Sequence, residues 1–293
     1  MPADRALEIL ATGPLTLVQD LGRVGFAAIG VGASGAADRN AFRLGARLLA
    51  QPYTAAGLEV TFGGLSVRAR GQLQLALTGA PAPGAVEGRG VGYWGPFVLA
   101  DGQVLTLDVP PVGLRTYVSV RGGIDVPPVL GSRATDTLSG LGPEPLKSGD
   151  ILPVGPPPAA FPDVDQAPTP APSQETLVLR AMRGPRDDWL ADVAALGATT
   201  WTTSSQSDRV GIRLEGEPLQ RHTSRTSQEL PSEGVVRGSI QVPPSGEPVI
   251  FLADHPVTGG YPVVAVLLDE AIDQAAQAVP GQRIRIVLLE APA

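Results

Sequence analysis

The sequence predicts a mainly β protein, built as two tandem β-barrel halves with a few short helices. Three observations predict it. Short apolar runs alternate with turns rich in Gly, Pro and Asp along most of the chain. Thirty prolines and 36 glycines are spread through it, so they punctuate strands and do not mark disorder. A set of motifs also recurs in the same order in both halves.

The predicted strands of the first half are Leu7–Leu10, Leu15–Val18, Leu58–Phe62, Leu65–Arg70, Leu73–Leu77, Phe97–Leu99, Val104–Leu107, Tyr117–Val120 and Ile151–Val154. Those of the second are Leu177–Ala181, Trp201–Ser204, Ser239–Val242, Pro248–Leu252 and Arg283–Leu289. Ala37–Ala50 reads as a helix because Asp38 can cap it and Phe42, Leu44, Ala46, Leu48 and Leu49 include an apolar face at helical spacing. Asp187–Ala195 and Ala271–Ala278 are two further helix candidates. Pro156–Pro172 is a Pro/Ala/Asp-rich excursion. The expected organisation is an N-terminal half over 1–155, a linker or excursion over 156–175 and a C-terminal half over 176–293.

The repeat is carried by specific residues. Arg23-Val24-Gly25-Phe26 returns as Arg209-Val210-Gly211-Ile212, and Glu59 has a counterpart in Glu233. Gly71 lies seven residues before Thr78, as Gly246 lies seven before Ala253. The strands between end on Thr78-Gly79-Ala80-Pro81 and on Ala253-Asp254-His255-Pro256. Asp101-Gly102-Gln103-Val104 matches Pro280-Gly281-Gln282-Arg283. Two related β-barrels follow from such a duplication.

Composition removes several function classes. Without cysteine there is neither a disulfide framework nor a thiolate metal site. A net charge of −7 weighs against a nucleic-acid partner. No segment approaches the roughly 18 apolar residues of a membrane span, and no leader is evident, so a cytoplasmic protein is expected. Only His222 and His255 are present, with no H-E-x-x-H, so no metal is expected. Of the 22 basic residues one is lysine, Lys147, and its context fits neither an amidase base, a biotin carrier nor a P-loop. G-x-S-x-G is absent; Ser34 lacks the spacing.

The densest candidate site is Ser232–Pro262. There a predicted strand runs into Asp254-His255-Pro256 and then Thr258-Gly259-Gly260-Tyr261. Glycine lets backbone N–H groups approach an oxygen-rich ligand, and Thr258 can add a hydroxyl; a decorated hairpin tip is the alternative. Glu233, Asp254 and His255 are the acid–base candidates. Asp20/Arg23 and Asp208/Arg209 each place a carboxylate beside a guanidinium. Each pair is either a turn-locking ion pair or an arginine set for a carboxylate or phosphate. Ser132-Arg133-Ala134-Thr135 and Arg121-Gly122-Gly123 offer similar donors.

Several of these stretches together resemble a known family. They are Val18–Gly25, Val31–Asp38, Leu58-Glu59-Val60 with Gly63-Gly64, Ala76–Ala80, Val120–Arg133, Ser207–Gly211 and Ser232–Pro262. They are similar to the family of C-type 5-oxoprolinase subunits, also called the biotin-dependent carboxyltransferase, KipA-like or allophanate hydrolase subunit 2 family. The similarity runs from about Gly13 to about Val287. It implies a cyclophilin-like β-barrel architecture. It also implies a place in a complex that opens 5-oxo-L-proline to L-glutamate with ATP, together with a KipI-like B-type subunit and an A-type subunit. The chain would be inactive alone, with ATP on an unassigned subunit and no covalent biotin on this one. By motif position the resemblance puts ligand contacts on Arg23, Thr78, Arg209, Glu233, Asp254, Thr258, Gly259, Gly260 and Tyr261. Two other readings stay open: the carboxyltransferase part of a urea-type biotin-dependent carboxylase, and a KipA-like regulatory protein that binds a KipI-like kinase inhibitor. The amidase implied by the allophanate hydrolase label lacks its lysine.

Overall fold

Alternating burial along the first half produces two antiparallel sheets. A computed structural model describes residues 5–226 and 228–289. The chain folds as two units. The first holds the chain up to Arg23, Ser34–Asp136 and Gly140–Pro172; the second holds Val24–Ala33, Thr137–Ser139 and the chain from Ser173 onward.

The first unit contains β1 (Ala6–Thr12), β2 (Leu15–Gln19), β3 (Gly57–Thr61), β4 (Leu65–Arg70), β5 (Leu73–Gly79) and β6 (Gly84–Val86). It continues with β7 (Arg89–Gly90), β8 (Pro96–Leu99), β9 (Val104–Leu107), β10 (Arg115–Val120) and β11 (Ile151–Pro153). One sheet has the order β11-β1-β4-β9-β6-β7 and the other β2-β3-β10-β5-β8. Alternate residues of both sheets, among them Leu7, Ile9, Val67, Leu105, Val60, Leu75, Leu77 and Val118, share one buried core. Each such side chain contributes about 1.5–3 kcal/mol by leaving water.

Helix α1 (Arg39–Leu48) starts where Asp38 accepts the N–H of Ala41 at 2.9 Å, as the capping pattern requires. Beneath its N-terminus Glu59 is buried. It accepts the N–H of Ala37 (2.9 Å) and the hydroxyl of Tyr117 (2.8 Å), with Arg115 Nε at 3.6 Å. Burial first, then the Glu59 and Asp38 charges, push the Tyr117 phenol well above its usual range, so it remains a donor. The Pro-rich stretch has no regular element and is fastened to the first unit. Arg121 Nη2 donates to the carbonyls of Pro158 (2.8 Å) and Ala160, its guanidinium lies 4.8 Å from the Phe161 ring, and Ala167 N–H bonds the Trp94 carbonyl (2.8 Å).

The second unit contains β12 (Leu177–Arg183), α2 (Ala195–Ala198), β13 (Thr200–Thr203), β14 (Gly211–Glu215), β15 (Glu233–Gly234) and β16 (Ser239–Gln241). After these come β17 (Val249–Phe251), β18 (Thr258–Gly259), β19 (Val263–Leu267), α3 (Asp269–Ala275) and β20 (Arg283–Leu289). Seven of the strands close a barrel in the order β12-β19-β16-β17-β14-β13-β20. The fold is thus mainly β with three α-helices among the described residues, and no described helix is long and apolar enough to cross a membrane.

One predicted helix is different in the structure. Over Asp187–Ala195 the chain makes only a 3₁₀ turn at Asp187–Trp189, and α2 begins at the far end. The cause is a competing chain. Ala191 N–H bonds the Gln220 carbonyl (2.9 Å) and His222 N–H bonds that of Trp189 (2.8 Å), and this pairing buries Trp189 and Leu190. The turn repeated between the halves is the same in both. Gly102 and Gly281 have φ of 78° and 81°. The following Gln side chain accepts the N–H three residues back, Ala100 at 2.8 Å and Val279 at 3.2 Å.

Candidate functional site

The β14–β17 ladder continues past its strands and sets the centre of the site. Gly211 faces Phe251. Beyond them Leu252 N–H bonds the Val210 carbonyl (2.9 Å) and Asp254 N–H bonds that of Arg209 (3.0 Å). Main-chain pairing therefore sets Arg209 opposite Asp254. Their side chains form a two-pronged ion pair, Nε to Oδ2 at 2.9 Å and Nη2 to Oδ1 at 3.0 Å, with both residues buried. Thr137 donates its N–H (2.9 Å) and its hydroxyl (2.7 Å) to the same Oδ2. Four hydrogen bonds converge on this one carboxylate and orient the guanidinium.

His255, half-buried, follows directly. Its Nδ1 lies 2.7 Å from the Pro256 carbonyl, to which it donates. The ring is 6.1 Å from that of Phe251.

Glu233 and the glycine loop come together as a two-stranded ribbon. Glu233 pairs with Gly259 and Gly234 with Thr258. Thr258, Gly260 and Tyr261 are exposed, and the Tyr261 carbonyl accepts Gln241 Nε2 (2.9 Å). Glu233 is gripped by Arg186 through Nε, at 3.1 and 3.0 Å, and through Nη2. That hydrogen bonding, more than the accompanying charge attraction, holds the Glu233 carboxyl below its usual range.

The remaining predicted residues lie in the first unit. Thr78 is wholly buried and its hydroxyl donates to the Ala41 carbonyl (2.7 Å), tying α1 to β5. Arg23 is also buried, with Nη2 on the Ala134 carbonyl. Neither neighbouring aspartate pairs with the arginine beside it. Asp20 accepts Gly22 N–H (2.7 Å), Ser132 Oγ (2.7 Å) and Arg133 N–H (2.6 Å); Asp208 accepts Val210 N–H (2.8 Å) and Gly211 N–H (3.0 Å). His222 is exposed and caps a 3₁₀ turn, accepting Ser224 N–H at 3.3 Å.

Sequence reasoning missed Thr137 and Arg186. Arg186 had a signal, since Gly184-Pro185 turns the chain just before it. Thr137 had none, because its partner lies 117 residues away. Trp189 reads in sequence only as helix packing, yet Arg221 and Arg225 both stack on it at 5.4 Å.

The closed-barrel unit and the two-sheet unit together are a carboxyltransferase-type fold, as solved structures of that class show. The chain belongs to the family described as carboxyltransferase domain, subdomain A and B, which it matches over residues 29–288. It is 37% identical over 290 residues to the C-type 5-oxoprolinase subunit of Escherichia coli K12, covering 96% of this chain and 90% of that one. The C-type 5-oxoprolinase subunit of Haemophilus influenzae is 31% identical over 287 residues, covering 95% and 90%. The crystal structure of Kluyveromyces lactis urea amidolyase superposes with a TM-score of 0.89 at 28% identity over 97% of this chain. The chain spans only 19% of that much longer protein.

Proposed function

We propose that this chain is the C-type subunit of an ATP-dependent 5-oxoprolinase, inactive alone, which opens 5-oxo-L-proline to L-glutamate in the cytoplasm. The observation that carries this reading is the 37% identity to a 5-oxoprolinase subunit of that type over nearly the whole of both chains. In this reading the partners are a KipI-like B-type subunit and an A-type subunit.

The lactam of 5-oxoproline is an unstrained, resonance-stabilised amide, so water attacks it slowly. When water adds, the carbonyl oxygen gains negative charge; the C–N bond then breaks and the ring nitrogen takes up a proton as it leaves. Oriented donors lower that barrier by meeting the oxyanion without reorganising. The exposed Thr258, Gly260 and Tyr261 carry such donors, and the buried Arg209–Asp254 pair fixes the strand end that leads to them. Of the three acid–base candidates His255 suits proton transfer best, because an imidazole is the side chain built to give and take a proton near neutral pH. Asp254 already accepts four hydrogen bonds, which suits orientation of Arg209. Glu233 is held ionised by Arg186, which suits a fixed negative charge.

The P-loop way of holding ATP is not built at the residues that would carry it here. Helix α1 opens on a side-chain cap at Asp38, not on a glycine-rich phosphate loop. Lys147 sits exposed in a turn, with its N–H on Asp150 Oδ2 at 2.7 Å. In this reading the subunit that binds ATP is left to the omission assay below, and no covalent biotin is carried on this chain.

The test is release of glutamate and ADP from 5-oxoproline and ATP by the reconstituted three-subunit mixture, repeated with each subunit omitted. Turnover is expected only in the full mixture. A well-formed complex without turnover would sink the reading. The fold likeness to urea amidolyase makes carboxyl transfer from carboxybiotin to urea the second reading, to be assayed next. A tight complex with a KipI-like protein and no turnover of either kind would make the chain a regulatory binding protein.

A further inference from the structure

Arg23 is 2% exposed, yet its Nε and Nη1 meet no hydrogen-bond partner among the described residues. No carboxylate among the described residues lies within ion-pair reach of it either. The nearest acid in sequence, Asp20, is taken up by Gly22, Ser132 and Arg133. In the second half the turn arginine that matches it in sequence, Arg209, is paired by Asp254. A guanidinium does not lose its proton near neutral pH, so the charge remains. A buried charge without a counter-charge is strongly unfavourable, and a ligand that brings one relieves it.

The surroundings of Arg23 are fixed before any ligand arrives. Asp20 pins the Ser132–Thr135 loop from one side. Gln19 Nε2 donates to the Thr135 carbonyl (2.8 Å) and Thr135 Oγ1 donates to that of Pro143 (2.9 Å). Gly142, at φ 91°, closes against the same spot. A Cβ there would lie 2.1 Å from the Ala134 carbonyl oxygen and 3.2 Å from Arg23 Nη2. The guanidinium is thus anchored by one prong with its other donors unpaired.

We propose that Arg23, held by the Ser132–Thr135 loop, is the binding site for a carboxylate. One guanidinium matches one negative charge on a planar group. A phosphate dianion would call for a second cation, and the nearest one in the loop, Arg133, is committed to Asp125 (2.8 Å) and the Val126 carbonyl (2.7 Å). Resting on the function proposed above, 5-oxoprolinate is the first carboxylate to test.

The experiment compares three probes: 5-oxoprolinate, its uncharged carboxamide and inorganic phosphate. Binding is followed by saturation-transfer NMR and thermal shift, on the chain alone and on the reconstituted complex. A charge-assisted pair predicts that the acid binds about ten- to a hundredfold tighter than the amide. Arg23→Met should erase that preference and leave amide binding unchanged. Arg23→Lys, which keeps the charge but not the fork, should retain part of it and guards against misfolding. Equal binding of acid and amide, a preference that survives Arg23→Met, or no binding of any probe to either form would overturn the proposal. Arg23-dependent binding of phosphate in place of the acid would overturn the carboxylate assignment. An Arg23-dependent preference without turnover would remove the oxoprolinase reading and keep this site. Turnover without the preference would do the reverse.

Discussion

The corners after β5 and β17 occupy matching places in the repeat and carry different chemistry. Thr78-Gly79-Ala80-Pro81 is a packing corner, with Thr78 and Ala80 wholly buried and the Thr78 hydroxyl committed to α1. Ala253-Asp254-His255-Pro256 presents an aspartate that gathers Arg209 and Thr137, and a half-buried histidine. Two positions make the difference. Gly79 stands against Asp254 in sequence, so the corner after β5 carries no carboxylate there. Ala80 against His255 decides whether the corner has a group that can move a proton. The backbone device repeated alongside, a left-handed glycine followed by a capping glutamine, is kept in both halves. A repeated β framework can thus keep its turns while the side chains at one pair of corners diverge toward fold or function.

The largest expected effect separates the two corners by activity. His255→Gln should lower turnover of the reconstituted complex about a hundredfold or more, the usual loss with a general base. Thr78→Val should cost about 1 kcal/mol of stability through its lost hydrogen bond, with turnover kept. Glutamate release, read beside a urea melt of each variant, checks both. Equal losses of turnover would break the comparison.

Next comes stability at the two arginines. Arg209→Met strips Asp254 of its buried counter-charge and should destabilise the chain by about 3–5 kcal/mol, whereas Arg23→Met removes an unpaired buried charge and should be neutral or stabilising. Midpoints of denaturant unfolding measure both. A large loss at Arg23 would show that the two arginines are equivalent after all. Thr137→Val sharpens the same point. It deletes one of four donors to Asp254 at an exposed residue and should cost about 1 kcal/mol. It should add little once Arg209 and Asp254 are both replaced by apolar residues, because the members of one network are coupled.

Local patterns made much of the fold legible. Leu65–Arg70 alternates cleanly and is β4; Asp38 before an apolar face is the cap of α1. Strand Val263–Leu267 escapes a reading by pattern, because a continuous apolar run carries no period of two. The helix expected at Asp187–Ala195 gave way to pairing with residues 220–222, a contact no window of sequence contains. The site divides the same way. Asp254, His255 and Thr258–Tyr261 are visible in sequence as a polar cluster at a strand end, whereas Asp20/Arg23 and Asp208/Arg209 suggest ion pairs that neither forms. In both cases the short aspartate side chain bonds nearby backbone N–H groups and the long arginine reaches elsewhere. Glu59 and Glu233 match in sequence, but one is buried beneath α1 and the other lies half-exposed on Arg186. Spacing carries no information on burial at that scale.

The smallest effect belongs to Arg186 and Glu233, and it separates a surface pair from the buried one. Arg186 lowers the folded-state pKa of Glu233 below its ordinary 4.5. A depressed carboxylate contributes stability that is present above its unfolded value and is lost as pH falls through the folded one. Arg186→Met should therefore melt slightly below the wild type at pH 7, and that gap should close below about pH 4 as Glu233 protonates. High salt should also narrow it, because an exposed pair is screened, whereas the gap between wild type and Arg209→Met should change little with salt. Melting curves at two pH values and two salt concentrations test both statements. A salt-insensitive gap at Arg186 would mean that Glu233 is as enclosed as Asp254, and the distinction drawn between fixed charge and oriented donor would fail.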